Sequence, residues 1–232
     1  MKKNIGNDLV HLFYPNLCKL CNERLMEGEE QLCLYCLCHL PHTGFYKETP
    51  NPVEQLLIDR EKLVCATAFL YYEKGSQVQR LIHALKYDNN KELGYLLGRQ
   101  AAQELKEAGH PICQADLILP IPLHPRKQRK RGYNQSEWIA RGLSDILKIP
   151  LHTQAVKRNI HTESQTTQTG YNRWLNVKDI FTLTKEEELR GKHILLVDDV
   201  ITSGSTAGAC IDTLSQVADC RISFFTLSIA HL

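Results

Sequence analysis

Charge of one sign, long apolar runs and low-complexity tracts are all scarce in this chain, and each shortage excludes something. Lys and Arg total 28 against 26 Asp and Glu, a net charge of +2. No global field therefore draws the protein to nucleic acid or to an anionic membrane, and only a local patch could do so. No apolar run approaches the roughly 20 residues needed to span a bilayer. Met1 to Asp8 is too polar to open a secretory signal, and Leu9 to Leu12 is too short for its apolar stretch. These absences predict a protein without membrane insertion. With 43% hydrophobic residues over 232 positions, the chain can bury a core sufficient for one domain and a small appendage.

Cysteines are unevenly placed. Cys18, Cys21, Cys33, Cys36 and Cys38 crowd the N-terminal part, whereas Cys65, Cys113, Cys210 and Cys220 are scattered among apolar or helical neighbours, as packed thiols are. An odd count without a signal peptide predicts a reducing, cytoplasmic location. Cys18-Lys19-Leu20-Cys21 and Cys33-Leu34-Tyr35-Cys36 form two C-x-x-C pairs with eleven residues between them. Four thiolates presented by two tight turns match the tetrahedral donor set of structural zinc, and a segment this thin needs such a staple to fold. The inter-pair spacing is slightly short, so Cys38 or His39 stays open as a substitute for one ligand. A redox pair fits less well, because neither pair heads a βαβ unit. Pro41 to Asp59, with its Thr49-Pro50-Asn51-Pro52, predicts a linker without regular structure. The boundary is placed near residue 55, with 1–54 holding the knuckle and linker and 55–232 the main domain.

Beyond that boundary strand and helix patterns alternate. Leu63 to Glu73 is rich in β-branched and aromatic residues, Ser76 to Tyr87 is amphipathic, and a helix capped by Asn90 runs to Gly109-His110-Pro111. Ala115 to Ile121 reads as a strand, Ser136 to Leu147 as a helix, Leu151 to Val156 as a strand and Arg221 to Ile229 as the last strand. The alternation predicts an α/β fold with a mostly parallel sheet flanked by helices.

Three segments carry chemistry. In the first, the apolar run Ile194 to Val197 leads into Asp198 and Asp199 and then into Val200-Ile201-Thr202-Ser203-Gly204-Ser205-Thr206. A doubly buried strand ending in two carboxylates points them at the crevice where open α/β sheets bind ligands, suited to the hydroxyls of a ribose. Thr202 to Thr206 then supplies hydroxyls and free N–H groups at a helix start, which suits a phosphate. In the second segment, Leu119-Pro120-Ile121-Pro122-Leu123-His124-Pro125 leaves another strand end, and five of the six residues from Arg126 to Arg131 are cations, followed by Gly132-Tyr133-Asn134-Gln135. Arginine forks bind phosphate oxygens in pairs, so this loop is the candidate diphosphate site, with Arg126, Arg131 and Asn134 unranked. The third, Lys157 to Arg173, is polar without periodicity and reads as a flexible excursion of the kind that closes over sites.

The first segment resembles the 5-phosphoribosyl diphosphate (PRPP) motif of type I phosphoribosyltransferases, and the three together resemble the ComF family, competence-associated relatives of amidophosphoribosyltransferase. The resemblance implies a type I phosphoribosyltransferase-like sheet preceded by a four-cysteine zinc knuckle. It implies Asp198, Asp199 and Arg158 as catalytic residues and Thr202, Ser203, Gly204, Ser205 and Thr206 at the 5′-phosphate. Arg126, Arg131, Asn134 and Lys86 would take the diphosphate, with Mg²⁺ arriving on PRPP and structural Zn²⁺ on Cys18, Cys21, Cys33 and Cys36. Closure of Asn159 to Gly170 would exclude water, and His161 or Glu163 could handle a proton. The acceptor, a nucleobase or amine, is not specified. Two rivals remain open: a DNA-uptake accessory protein binding single-stranded DNA through the basic loop and Tyr133, or binding a helicase, and a regulator that senses PRPP.

Overall fold

The computed structural model describes residues 15–159 and 180–230. The expected closing loop beyond Asn159, including His161 and Glu163, lies outside the described residues.

The main sheet has four strands: β1 (Leu63–Tyr72), β2 (Leu117–Pro120), β5 (His193–Ile201) and β6 (Arg221–Ala230), in the order β1-β6-β5-β2 and parallel throughout. A separate antiparallel pair is formed by β3 (Val156–Arg158) and β4 (Phe181–Leu183). Seven α-helices are described: α1 (Leu34–Cys38), α2 (Pro52–Leu56), α3 (Gln77–Tyr87), α4 (Lys91–Glu107), α5 (Pro125–Arg131), α6 (Gln135–Leu147) and α7 (Ser205–Leu214).

Successive residues of β5 enter opposite halves of the core, as the two-residue period of a strand requires. Leu195 and Val197 belong to one buried cluster with Leu85 of α3, Leu97 of α4 and Ile139 of α6, whereas Ile194 and Leu196 belong to another with Val53 of α2, Phe181 of β4 and Ile211 of α7. Both faces are thus covered, which explains why the strand is apolar without alternation. Helices α4 and α6 approach so closely that a Cβ built on Gly98 would lie 2.2 Å from the Ile139 carbonyl oxygen, and one on Gly142 2.2 Å from that of Tyr95. The expected Asn90 cap is formed, accepting from Leu93 N–H at 3.2 Å, and Ser76 caps α3 in the same way, accepting from Gln79 N–H at 3.2 Å.

Three expectations change. The Pro41 to Asp59 stretch is not irregular: it contains a 3₁₀ turn, Phe45–Lys47, and helix α2 with a complete capping box between Asn51 and Glu54. Pro52 occupies the first helical turn, where its missing N–H costs nothing, so a residue read as a breaker is a helix start. Asn51 is buried and donates to the Ala66 carbonyl at 2.8 Å, pinning the stretch to β1. The basic run is likewise a helix rather than a loop, because Pro125 begins it and Gly132, at φ 80°, ends it. Finally, Leu151 to Val156 supplies only one parallel bridge, Leu151 to Ile118, before the chain turns and resumes as β3. Pro150, at the head of that segment, has no N–H to extend the ladder.

Candidate functional site

Strand β2 stops before β5 does. Pro120 pairs with Val197, the Ile121 N–H donates to the Val197 carbonyl at 2.8 Å, and the chain then departs. On that side β5 continues alone through Asp198 and Asp199, while β6 still pairs with it as far as Ile201. A crevice therefore opens at the carboxyl ends of adjacent strands, floored by the acid pair.

Each carboxylate is held through one oxygen. Asp198 Oδ1 accepts from the Ser136 hydroxyl at 3.0 Å and from the Asp199 N–H at 2.8 Å. Asp199 Oδ2 lies 3.0 Å from Lys86 Nζ, and both side chains are largely buried. Burial and the neighbouring Asp199 charge push Asp198 up to about 7, against the pull of the Asp199 N–H, Ser136 and Lys86.

Beyond Ile201 the chain turns through Gly204, whose φ of 74° is left-handed and whose absent Cβ would lie 3.3 Å from the Leu56 carbonyl oxygen. Helix α7 follows with no side-chain cap on its first N–H groups. Thr202, Ser203, Ser205 and Thr206 line a recess of about 40 Å³ that also reaches Asp198. Unsatisfied N–H groups, several hydroxyls and a positive helix end suit a phosphate.

Helix α5 rises from the neighbouring strand end. Among the described residues, Arg126, Lys127, Arg129 and Lys130 make no ion pair, so this short helix presents uncompensated positive charge. His124, which caps it, is lowered by desolvation and by the cations Arg158, Arg126, Lys127 and Arg129. Arg158 of β3 is therefore close to α5, its guanidinium 5.5 Å from the Phe181 ring centre. It also acts on Cys210 of α7, whose thiol is pushed up by burial and by the Asp198 charge. The fold thus gathers Asp198, Asp199, Lys86, Arg158, α5 and the 202–206 turn at one edge of the sheet.

Two expected contributors are engaged in the fold itself. Asn134 is buried; its Oδ1 accepts from Ser136 N–H at 3.2 Å and its Nδ2 donates to the Ile121 carbonyl at 2.9 Å, so it caps α6 and anchors the exit of β2. Tyr133 is buried as well, its hydroxyl donating to the Leu85 carbonyl, which removes it as a platform for a stacked base. The exposed aromatic here is Tyr87, 56% exposed, with the Arg131 guanidinium 5.3 Å from its ring centre. Arg131 also donates to Gln135 Oε1 at 2.8 Å. Ser136 and Tyr87 escape a reading of the sequence, because a serine in a helix and a tyrosine at a helix end carry no local signature.

In the N-terminal segment, the sulfurs of Cys18, Cys21, Cys33 and Cys36 all lie within 4.8 Å of one another, with Cys21 and Cys33 at 3.7 Å. Zinc–sulfur bonds of about 2.3 Å in a tetrahedron place sulfurs roughly 3.8 Å apart, so the cluster fits that metal. Burial pushes the Cys18 thiol up, but N–H groups of Cys21, Cys33 and Leu20 outweigh it and bring it down to about 6. Cys38 and His39 are not in the cluster, and His39 instead pairs with the Tyr35 carbonyl at 2.7 Å. Arg80 of α3 donates to the Leu20 carbonyl at 3.3 Å and Asn90 to Gln31 at 3.0 Å, seating the knuckle on the helical layer.

Parallel strands, an acid pair and a phosphate-shaped turn at their carboxyl ends define a phosphoribosyltransferase-type domain, and the family model for the phosphoribosyl transferase domain matches residues 129–228. The DNA utilization protein YhgH of Salmonella typhi is 33% identical over 212 residues, covering 84% of this chain and 88% of that protein. YhgH of Escherichia coli (strain K12) is 29% identical over 215 residues with the same coverage. Competence protein F of Haemophilus influenzae is 35% identical over 129 residues, 54% of this chain and 56% of that one. The chain belongs to the ComF family of type I phosphoribosyltransferase-like proteins. Among the described residues, no helix is long and apolar enough to cross a membrane.

Proposed function

We propose that this protein binds PRPP and transfers its phosphoribosyl group to a nucleobase or amine, releasing diphosphate. The observation that carries the reading is the junction at one sheet edge of the acid pair, the uncapped turn before α7 and the uncompensated cations of α5. In this reading the free oxygens of Asp198 and Asp199 accept the ribose hydroxyls and favour the positive charge that grows on the sugar as the diphosphate departs. Thr202 to Thr206 takes the 5′-phosphate, and Arg126, Arg131 and Lys86 receive the diphosphate, with Arg158 beside them. Asn134 keeps that arrangement in register.

Among the described residues the cysteines alone form a cluster of metal-ligand groups, and Asp199 is already paired with Lys86. Magnesium would therefore be held by the oxygens of PRPP and would neutralise the leaving group. Zinc on the four cysteines, with no open position, would serve folding.

Calorimetry with PRPP and magnesium should detect binding to the wild-type chain and at least a hundredfold loss in Asp198→Asn/Asp199→Asn, since two hydrogen bonds to charged acceptors disappear. Equal binding by both would sink the assignment. A diphosphate-release screen across bases and amines then identifies the acceptor.

A second reading, a DNA-uptake accessory protein without turnover, is favoured by Tyr87 standing exposed beside Arg131 and α5. An accessible ring next to cations suits a stacked base and its phosphates, and the names of the relatives point to DNA. Oligo-dT affinity that falls steeply with salt, coupled to silence in the diphosphate screen, would favour it.

A further inference from the structure

Every residue from Arg131 to Ser136 except Gly132 has its side chain hydrogen-bonded, and three of them, Tyr133, Asn134 and Ser136, bond outside the segment. Arg131 reaches Gln135, Tyr133 reaches the Leu85 carbonyl beside Lys86, Asn134 reaches the Ile121 carbonyl at the end of β2, and Ser136 reaches Asp198 on β5. Gln135 closes the set by donating to the Tyr133 carbonyl at 3.3 Å. Four of these residues, Tyr133 to Ser136, are buried. A segment whose exposed end is the cationic helix and whose buried end grips the acid pair is a joint between the two halves of the site.

We propose that Ser136 is the positioning residue of this joint, fixing Asp198 so that Oδ2 alone is offered to the ligand and Oδ1 stays committed to the protein. The geometry allows little else. Ser136 sits in the first turn of α6 with its own N–H held by Asn134, so the hydroxyl has a fixed origin. Its 3.0 Å bond and the 2.8 Å bond from Asp199 N–H converge on the same oxygen. Two converging donors set the plane of a carboxylate, as supporting hydrogen bonds do around any preorganised site. The charged and titratable groups facing Asp198 are Asp199 on its own strand, Lys86 from α3 and Cys210 from α7. Ser136 is the neutral donor that α6 adds to that set, and it favours the ionised form of Asp198.

This inference deepens the PRPP reading but depends on it only for the ligand's identity, so its test has a ligand-free arm. In full-length protein, carboxyl ¹³C NMR should place the Asp198 titration at higher pH in Ser136→Ala than in wild type, with Ser136→Thr restoring it. Alanine is the better helix former, so the first variant keeps α6. PRPP affinity at neutral pH should fall about tenfold in Ser136→Ala and recover in Ser136→Thr, the effect of one hydrogen bond to a charged group. An Asp198 titration unmoved in Ser136→Ala overturns the proposal, whatever the ligand does. A shifted titration in a chain that never binds PRPP would uphold the positioning role and refute the donor assignment alone.

Discussion

Replacing Gly142 with alanine sets two opposing effects against each other, and the structure says which prevails. Gly142 lies inside α6, where alanine is favoured over glycine by about 1 kcal/mol. Helix propensity alone therefore predicts a more stable protein. The added methyl, however, would sit 2.2 Å from the Tyr95 carbonyl oxygen and 2.8 Å from the Arg99 backbone nitrogen, both parts of the α4 backbone rather than flexible side-chain ends. Restoring ordinary contact requires the two helices to part by about 1 Å, and a gap of that size forfeits a quarter to a half of each dispersion contact along the seam. Overpacking of this kind costs about 3 kcal/mol, leaving a net loss of about 2 kcal/mol after the propensity gain. At 2–4 °C per kcal/mol for a chain of this length, Tm should fall by roughly 4–8 °C. Gly98→Ala should match it, since its Cβ meets the Ile139 carbonyl oxygen at 2.2 Å, whereas Gly94→Ala, meeting the movable Leu85 Cδ1 at 2.8 Å, should lose less. Thermal and urea unfolding followed by circular dichroism measure all three. A Gly142→Ala variant at or above the wild-type Tm would refute the backbone-contact argument and leave propensity in charge.

Asp198 makes stability depend on pH. Its pKa, raised from 3.8 to about 7, means that the native chain keeps a proton which the unfolded chain releases, so stability is full below about pH 4 and declines as pH climbs towards 7. Asp198→Asn should therefore melt above wild type at pH 8 and level with it at pH 4, and a constant difference across that range would contradict the buried-acid account. For the knuckle, elemental analysis should find one zinc per chain, lost in Cys18→Ser together with a lower Tm. A metal-free wild-type protein, or a variant of unchanged Tm, would exclude structural zinc.

What could be read locally was legible in the sequence. The apolar run before Asp198 betrayed a doubly buried strand because parallel sheets require one, and Asn90 announced its helix through cap chemistry that acts over three residues. Prolines misled where position outweighs identity: Pro52 and Pro125 begin helices instead of ending order. The linkages of the candidate site were beyond local reading. Ser136 meets Asp198 across 62 positions and Tyr133 meets Leu85 across 48, separations that only the folded topology closes. The same holds for Lys86, whose pairing with Asp199 joins residues 113 positions apart.

The knuckle shares its interior with the domain it precedes. Cys18, Leu20, Leu32, Cys36 and Leu40 belong to the same buried cluster as Phe69, Leu81 and Leu97. An evolving lineage could not discard Cys18 or Cys36 as one removes a bead from a string, because either loss would leave a hole in the cluster that holds Leu81 of α3 and Leu97 of α4. Relatives that lack these cysteines should be recognisable by apolar or aromatic replacements at their positions, or by newly charged helix faces beneath them.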